Sequence, residues 1–448
     1  MRATTIKSAY YSALTSYDRE VWSTDDVPYV PRTAAQDGQR RPVHVRLEEA
    51  LREGRQQFVL TGQKGSGKST ELHQLRARLG DRFEVVVVDG SEQLNLDRFV
   101  DIRFVLVAMA ASVARRIQLL DGRYVGRAGM ASTDAQRLRE WVRVLTHTEV
   151  VPNADQVDWR AVFAQIGDAL TGVTVDARSD DSLRARLLGA EVSATRNLVT
   201  LLTDELARLS GRDVVFIVDD LDKLTDPESW KHLYRDHLLT LRALPVRWVI
   251  TMPYALGYDP EVSAPSDRLI VLPNVKVVER GAPDRLLPES AEYFQKIAAA
   301  VVDPVLFDAA ASDRAARMSA GNPREFLRIL RTAFGVAYEL GLTRVGVPEV
   351  ELAEAQLRRE LQRFHADPRV TRSLELVKAR PGKIDAHQRG LMGMLLIVEY
   401  SNGEQWYDTN PLLSPEYERR ISERAARLKV GRDDTDALVR DIEGKDAS

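Results

Sequence analysis

Residues 59–70, which read VLTGQKGSGKST, constrain the fold of this chain more than any other stretch. An apolar run that ends at Leu60 leads into a glycine-rich loop, and a helix-forming segment follows Lys68. A GxxxxGK[ST] loop between a strand and a helix directs successive backbone N–H groups, and the positive end of the helix, toward one anion. The stretch therefore predicts an α/β fold with a parallel sheet and a loop that holds phosphate.

The same loop predicts a nucleotide site in which a Mg²⁺ ion accompanies the phosphates. Lys68 would place its ammonium against the phosphates, and the hydroxyl of Ser69 would be a direct ligand of the metal. The residues that we expect to bind the nucleotide here are Gly62, Gln63, Lys64, Gly65, Ser66, Gly67, Lys68, Ser69 and Thr70.

Length and composition exclude several classes of protein. A chain of 448 residues is too long for one compact core, and 44% hydrophobic with 29% charged residues is ordinary for a globular protein. The formal net charge of −3 gives no global basic field for nucleic acid. The absence of cysteine excludes disulfides and thiol catalysis, and the seven histidines show no metal-binding spacing.

Targeting and membrane segments are not predicted either. The N-terminal twenty residues lack the apolar core of a signal peptide. The longest apolar run, residues 104–114, is too short to cross a bilayer and is followed by Arg115 and Arg116. We expect a cytoplasmic protein that does not contact membranes.

Alternating apolar runs and helical spacing predict the first half of the chain. Strands are expected at 83–90, 213–224, 247–253 and 267–278, with helices between them. We predict an N-terminal arm at 1–41 and a core domain at 42–285, with a helical insertion at about 121–210.

The remainder reads as helical and then changes character. Residues 286–365 predict amphipathic helices, and 366–428 predict a winged-helix-like domain whose hairpin turns through Asn402 and Gly403. Residues 429–448 are a charged tail. The predicted fold class is thus α/β, with a parallel-sheet core that carries a helical insertion, followed by helices and the winged-helix-like domain.

A pair of acids follows the strand at 214–218. An acidic residue at the carboxyl end of such a strand holds Mg²⁺, which we assign to Asp219, and a second carboxylate orients or deprotonates the attacking water, which we assign to Asp220. Asp222 is a weaker candidate that could simply begin the next helix.

These motifs, in this order, resemble P-loop ATPases of the AAA+ and STAND superfamily. We predict that the strand at 83–90 lies between the loop strand and the acidic strand, and a strand interposed there resembles the additional-strand group of these ATPases. The resemblance implies that the nucleotide is ATP or ADP, and that a parallel-sheet P-loop ATPase core with a helical insertion is followed by a helical lid at 286–365 and a winged-helix-like domain. The resemblance implies that Thr251 is a sensor of the γ-phosphate or attacking water. It also implies that the turn "GNPRE" belongs to the lid, with Pro323 and Arg324 contacting nucleotide. The stretches DDLDKL and ITMPYAL further resemble uncharacterised ATPases of bacterial conflict and defence modules.

Several alternatives remain open. The resemblance implies a slow regulatory ATPase that controls assembly into a homo-oligomer or an effector polypeptide, with a role in bacterial antiviral defence. A DNA-binding ATPase of the origin-recognition type, which would use the winged helix, is the second reading, and a small-molecule kinase is the third. Any arginine finger that reaches a neighbouring subunit could be Arg235, Arg268 or Arg280.

Overall fold

The computed structural model describes residues 3–13, 29–33, 41–54, 56–120, 140, 165–170, 172, 180–259, 262, 268–280, 282–401 and 405–430. The chain divides into two compact units. One unit, here called the sheet unit, consists of 43–61 and 71–271. The other, here called the helical unit, consists of 1–42, 62–70 and 272–448, so it includes the phosphate loop.

The sheet unit is built on a parallel sheet. Its described strands are β1 (Gln57–Thr61), β2 (Phe83–Asp89), β3 (Asp213–Asp219), β4 (Arg247–Thr251) and β5 (Leu269–Val271). They lie in the order β2-β3-β4-β1-β5, and every described pairing among them is parallel. The predicted parallel α/β fold is confirmed.

The order of these strands corrects the sequence prediction, which placed the strand at 83–90 between the loop strand and the acidic strand. β2 precedes β3 along the chain, but in the sheet it lies at the edge beyond β3. The strand that lies between β1 and β3 is β4, through pairs such as Val59 with Ile250. β1 and β3 are buried along nearly their whole length, which is why they read as continuous apolar runs.

Helices of the sheet unit cover this sheet. They are α1 (Val43–Arg52), the greater part of α2 (Lys68–Leu79), α3 (Ile102–Gln118), α4 (Asp181–Gly189) and α5 (Val192–Ser210). Helix α3 buries residues on all sides, because both the sheet and other helices pack on it. Shorter helical turns follow at Gly90–Gln93, Leu221–Lys223, Pro227–Trp230, Lys231–Asp236, Leu238–Arg242 and Tyr254–Tyr258.

Most of the predicted helical insertion lies outside the described residues. Within it the structure describes residue 140, residues 165–170, residue 172 and the stretch from 180 onward, which contains α4 and α5. The charged tail, from residue 431, and the hairpin turn at Asn402 and Gly403 also lie outside them.

The helical unit contains the helices that the sequence predicts after residue 285. They are α6 (Pro288–Val301), α7 (Ala309–Met318), α8 (Pro323–Glu339) and α9 (Val347–Gln362), with a short turn at Pro304–Leu306. Phe294, Phe326 and Phe334 are fully buried among them. Helix α8 begins at Pro323, where a missing N–H costs nothing, and Asn322 caps it.

The last described part is a pair of helices, a hairpin and one more helix. Helices α10 (Pro368–Ala379) and α11 (Ala386–Gly393) precede the antiparallel strands β8 (Ile397–Ser401) and β9 (Gln405–Thr409), and α12 (Pro415–Val430) follows. The predicted hairpin is thus confirmed, and its identification as a winged helix stays a prediction.

One predicted strand is divided in the structure. The single strand predicted at 267–278 is instead β5, a stretch without strand structure, and then β6 (Val278–Glu279), which pairs with β7 (Ala282–Leu286). Pro273 interrupts the run, because proline cannot donate to a strand ladder.

The beginning of the chain contributes to the core of the helical unit. Residues Ile6–Ser8 and Ala9–Ala13 form two helical turns, and Ala9 is fully buried. The ring of Tyr10 lies so close to Gly335 of α8 that a Cβ there would come within 2.9 Å of it. The predicted arm therefore packs on α8 at its start.

Among the described residues, no helix is both long enough and apolar enough to cross a bilayer.

Candidate functional site

The phosphate loop, residues 62–67, needs glycine at three positions. Gly65 and Gly67 have φ values of 85° and 98°, in the left-handed region that side chains disfavour. At Gly62 a Cβ would lie 2.4 Å from the carbonyl oxygen of Leu272. The glycines therefore allow both the turn and the close approach of backbone that a phosphate loop requires.

Lys68 lies at the end of this loop and begins α2. Its side chain is buried, at 5% exposure, and its Nζ donates to the carbonyl oxygens of Gly62 at 2.8 Å and Gln63 at 3.1 Å. A phosphate oxygen is a stronger acceptor for an ammonium than a neutral carbonyl is. The ammonium is therefore positioned where an arriving phosphate would compete for it.

Other polar groups of the loop fit an anion as well. The hydroxyl of Ser66 is buried and has no hydrogen-bond partner within the described chain, so a ligand could supply one. Ser69 and Thr70 lie in the first turn of α2, where backbone N–H groups lack helical acceptors.

The predicted lid turn contacts the loop directly. The side-chain Nδ2 of Asn322 donates to the carbonyl of Lys64 at 2.8 Å, and the backbone N–H of Arg324 donates to the carbonyl of Gly65 at 3.3 Å. A Cβ at Gly65 would come within 2.5 Å of Asn322 Oδ1 and 2.7 Å of Arg324 Cβ. The turn therefore lies against the loop, and contact of Pro323 and Arg324 with nucleotide stays a prediction.

The lid turn is itself tightly built. Gly321 has a φ of 76°, and a Cβ there would lie 1.7 Å from the carbonyl oxygen of Val275. Pro323 follows as the first residue of α8. Only glycine fits at 321, so the turn cannot shift without moving the segment at Val275.

Gln63 was predicted as a nucleotide-binding residue, and its side chain lies elsewhere. It is 1% exposed, and its amide bonds to the carbonyls of Met392 and Ile397, the side chain of Asn274 and the backbone N–H of Glu399. What Gln63 can offer to a phosphate is therefore its backbone.

Sequence reasoning missed Arg32, which lies in the predicted arm. Its guanidinium donates to the carbonyl of Pro273 at 2.6 Å and to the carbonyl of Ser66. The residue is 8% exposed, and the partners that the structure describes for its guanidinium are these two backbone carbonyl oxygens. A buried cation with neutral partners beside a phosphate loop suits an anionic ligand. Because 34 residues separate it from Ser66 in the sequence, spacing gave no indication of it.

The acids of the sheet unit form a separate group at the carboxyl edge of β3. Carboxylate oxygens of Asp219, Asp220 and Asp222 lie within 4.8 Å of one another. Asp219 accepts from the backbone N–H of Asp220 at 2.8 Å, and Asp220 pairs with Lys223 at 2.7 Å. Three oxygen donors at this distance fit a hard cation such as Mg²⁺.

Both the backbone conformation and the pKa of Asp220 are unusual for an aspartate. Its φ of 66° is left-handed, which aspartate tolerates better than most residues do. Burial raises its pKa above the ordinary value of a carboxyl group, and Lys223 opposes that rise. A raised pKa is what a carboxylate needs if it is to accept a proton near neutral pH.

Thr251 ends β4, next to the strand that carries Asp219. The residue is fully buried, and its Oγ1 has no hydrogen-bond partner among the described residues. Its carbonyl, in contrast, accepts from the hydroxyl of Tyr234 at 2.6 Å. An unpaired buried hydroxyl costs free energy, so a role toward a ligand or water would account for it.

The predicted residues thus fall into two groups. The helical unit brings together the loop, Lys68 and the lid turn with Pro323 and Arg324, whereas the sheet unit brings together Asp219, Asp220 and Thr251. That Ser69 and Asp219 share one Mg²⁺ ion stays a prediction of the sequence.

The three arginine-finger candidates lie apart along the chain. Arg235 is in the helical turn Lys231–Asp236, Arg268 directly precedes β5, and Arg280 directly follows β6. Their positions do not select one of the three.

Comparisons with solved structures find matches of low similarity. The chain is similar to Cdc6p of Pyrobaculum aerophilum, with 13% identity over 90% of this chain and 98% of that one, and a TM-score of 0.38. It is similar to the ORC2 protein of Aeropyrum pernix, with 13% identity over 93% and 98% and a TM-score of 0.42. The RuvB Holliday junction branch migration motor of Thermotoga maritima gives 13% identity over 84% and 91%, and a TM-score of 0.35.

No protein-family model and no curated protein matches the chain. The parallel sheet in the order β2-β3-β4-β1-β5, with the loop after β1 and helices after the sheet, is the α/β fold that the sequence predicts. The resemblance to ATPases of bacterial defence modules stays a prediction.

Proposed function

We propose that this protein binds and hydrolyses ATP with Mg²⁺ and acts as a regulatory switch of the STAND or AAA+ type. Nucleotide state would set the position of the lid and thereby control assembly of the chain with itself or with an effector polypeptide. A role in bacterial antiviral defence is the biological setting that the sequence resemblance suggests.

One observation carries the proposal, and it is the direct bonding of the lid turn to the phosphate loop. Asn322 reaches the carbonyl of Lys64, and the N–H of Arg324 reaches that of Gly65. A ligand shifts a conformational equilibrium only through contacts that differ between the two states. A nucleotide bound to this loop would contact the lid turn directly. Occupancy of the nucleotide site and the position of the lid would therefore be coupled.

The hydrolytic part of the proposal rests on the acids of the sheet unit. Asp219 would hold Mg²⁺ and Asp220 would take the proton of the attacking water, with Thr251 orienting that water. The raised pKa of Asp220 and the unpaired Oγ1 of Thr251 support these roles.

Binding of DNA through the C-terminal hairpin region is the second candidate, and we favour it less. Arg372 pairs with Glu375 at 3.1 Å, while Lys378 pairs with Asp408 at 2.6 Å and Glu418 at 2.7 Å. Cations that are already paired release less energy on meeting phosphate. The other basic residues of this region that we would test for contact with DNA are Arg380, Lys383 and Arg389.

The proposed function is tested with Lys68→Ala and its matched control Lys64→Ala. Both lysines lie in the same loop, but Lys68 is buried with its ammonium on loop carbonyls and Lys64 is exposed. We expect Lys68→Ala to abolish ATP binding and hydrolysis. We expect Lys64→Ala to retain both, because what Lys64 offers to a phosphate is its backbone N–H, which the substitution keeps.

The measurements are calorimetric titration with ATP and ADP, release of phosphate, and circular dichroism to verify the fold. A folded Lys68→Ala protein that binds and hydrolyses ATP like the wild type would refute the assignment of the loop. A wild-type protein that hydrolyses ATP and also binds duplex DNA with a steep salt dependence would instead favour the second candidate.

A further inference from the structure

A chain of buried amide side chains links the phosphate loop to the hairpin β8–β9. Its members are Gln63 in the loop, Asn274 after β5, and Asn322 in the lid turn, and each is at most 1% exposed. Buried amides of this kind are costly unless their hydrogen bonds are made. The hydrogen bonds of these amides join the loop to the hairpin and to the lid turn.

The amide of Gln63 is fully satisfied. Its Nε2 donates to the carbonyls of Met392 at 3.0 Å and Ile397 at 2.8 Å. Its Oε1 accepts from the backbone N–H of Glu399 at 3.3 Å and from the side chain of Asn274. A primary amide has two donor hydrogens and two acceptor lone pairs, so all four are used.

The partners also fix which way this amide faces. Backbone carbonyls only accept and a backbone N–H only donates, so the nitrogen must lie toward Met392 and Ile397 and the oxygen toward Glu399. A carboxylate of the same shape would direct an oxygen at two carbonyl oxygens, which is repulsive. The site therefore distinguishes glutamine from glutamate although the two have the same size.

The lid turn joins the same network. Asn322 Nδ2 donates to the side-chain Oδ1 of Asn274 at 3.3 Å as well as to the carbonyl of Lys64. Its Oδ1 accepts from the backbone N–H groups of Arg324 and Glu325 at 3.1 Å and 3.2 Å, so this amide is also fully used. A movement of the lid turn therefore breaks bonds that extend to the hairpin.

The network begins at the group that would bind phosphate. Lys68 Nζ donates to the carbonyl of Gln63, the residue whose side chain holds the hairpin. A phosphate oxygen attracts an ammonium more strongly than a peptide carbonyl does, so triphosphate would draw Lys68 away and leave the Gln63 carbonyl without that donor. The loop would then rearrange at the residue that carries the hairpin.

We propose that Gln63 is a positioning residue that latches the hairpin β8–β9 to the phosphate loop, and that ATP on the loop releases this latch. The proposal rests on the proposed function for its ATP-dependent half, whereas the latch itself is independent of nucleotide. Because coupling between two sites is reciprocal, a chain whose latch is broken binds ATP more tightly than the wild type.

The test uses hydrogen exchange with mass spectrometry on the full chain, in peptides that cover Ile397–Ser401 and Gln405–Thr409. The variants are Gln63→Ala, Gln63→Glu and the control Gln388→Ala. Gln388 is another buried glutamine of the C-terminal region, with Nε2 on the carbonyl of Ser373 at 3.2 Å, and it does not bond to the loop. Each protein is measured alone and with saturating AMP-PNP and Mg²⁺, and its affinity for AMP-PNP is determined by calorimetry.

Without nucleotide, we expect exchange of the hairpin to be about tenfold faster in Gln63→Ala than in the wild type, and faster still in Gln63→Glu, because three bonds to the C-terminal region are lost. The control should leave the hairpin peptides within about twofold of wild type. AMP-PNP should accelerate hairpin exchange in the wild type and in Gln388→Ala, with little further effect in Gln63→Ala. The affinity of Gln63→Ala for AMP-PNP should rise several-fold.

The outcomes separate the latch from the nucleotide chemistry. Hairpin exchange in Gln63→Ala and Gln63→Glu equal to wild type would overturn the latch, whatever nucleotide does. Binding of AMP-PNP to the wild type with no change in the hairpin would overturn its release by ATP. If the wild type binds no nucleotide, the proposed function is wrong, and accelerated exchange in both Gln63 variants would still support the latch alone.

Discussion

Glu399 in β8 makes the stability of the hairpin depend on pH. The residue is 1% exposed, and the described donor to its side chain is Gln405 Nε2 at 2.6 Å. Burial raises the pKa of this carboxyl group from 4.5 to about 7, and the hydrogen bond from Gln405 opposes the rise only in part. The folded chain therefore binds a proton here that the unfolded chain has already lost.

The sign and magnitude follow from linkage. Below pH 4.5 both states are protonated and the group has no effect; between pH 4.5 and about 7 the folded state holds more protons, so stability falls as pH rises. Each unit of pKa difference is worth about 1.4 kcal/mol, so the full loss above neutral pH is about 3 kcal/mol. Glu399→Gln cannot ionise and should not suffer this loss, while its amide oxygen still accepts from Gln405.

The assay compares hydrogen exchange of the hairpin in Glu399→Gln and wild type at pH 5, 6, 7 and 8, as a ratio at each pH so that intrinsic exchange cancels. We expect the two to be nearly equal at pH 5 and the variant to exchange about a hundredfold more slowly at pH 8. Glu354→Gln is the matched control, because Glu354 is equally buried but pairs with Arg314 at 2.6 Å and Arg358 at 3.0 Å. The Glu354→Gln variant should have a lower free energy of unfolding than the wild type at every pH tested. A ratio for Glu399→Gln that does not change with pH would refute the reasoning.

Three further variants test the proposed catalytic roles. Asp220→Asn should keep ATP binding and lose roughly 10²- to 10⁴-fold in hydrolysis, measured by phosphate release, and a wild-type rate would exclude a proton-accepting role. Thr251→Val removes a hydroxyl that has no partner in the described chain, so thermal stability should hold or rise while hydrolysis falls about a hundredfold; loss of stability with unchanged hydrolysis would indicate a purely structural threonine. Arg324→Ala should keep ADP affinity and lose the ATP-dependent change in sedimentation, through a shift of about ten- to a hundredfold in the closed-to-open ratio; a wild-type response to ATP would exclude contact of Arg324 with the γ-phosphate.

Local patterns predicted the elements that carry the site. The strand before the loop, the helix after it and the acids at the end of β3 all follow from short-range periodicity and spacing. The cap at Asn322 and the start of α8 at Pro323 are likewise local. These features depend on residues that are close together in the sequence, so a single sequence is sufficient to predict them.

Contacts between residues far apart in the sequence could not be predicted from the sequence alone. The position of β4 between β1 and β3 depends on which strands associate, and no single strand encodes that choice. The contact of Gln63 with Ile397 spans 334 residues, and that of Arg32 with Pro273 spans 241. A glutamine inside a glycine-rich loop reads as a loop residue, and only the fold shows that its side chain belongs to the hairpin.

The carbonyl groups of the phosphate loop explain why elements so distant in the sequence converge on it. Each carbonyl at 62–66 accepts a hydrogen bond: the first two from Lys68, the third from the side chain of Asn322, the fourth from the N–H of Arg324 and the fifth from Arg32. A loop that directs its N–H groups at an anion leaves its carbonyls on the other side, where they require donors of their own. The lid turn and the arm supply those donors, so they hold the loop in shape before phosphate arrives. The same bonds make the lid and the arm sensitive to any rearrangement of the loop, which is the property that a nucleotide-driven switch needs.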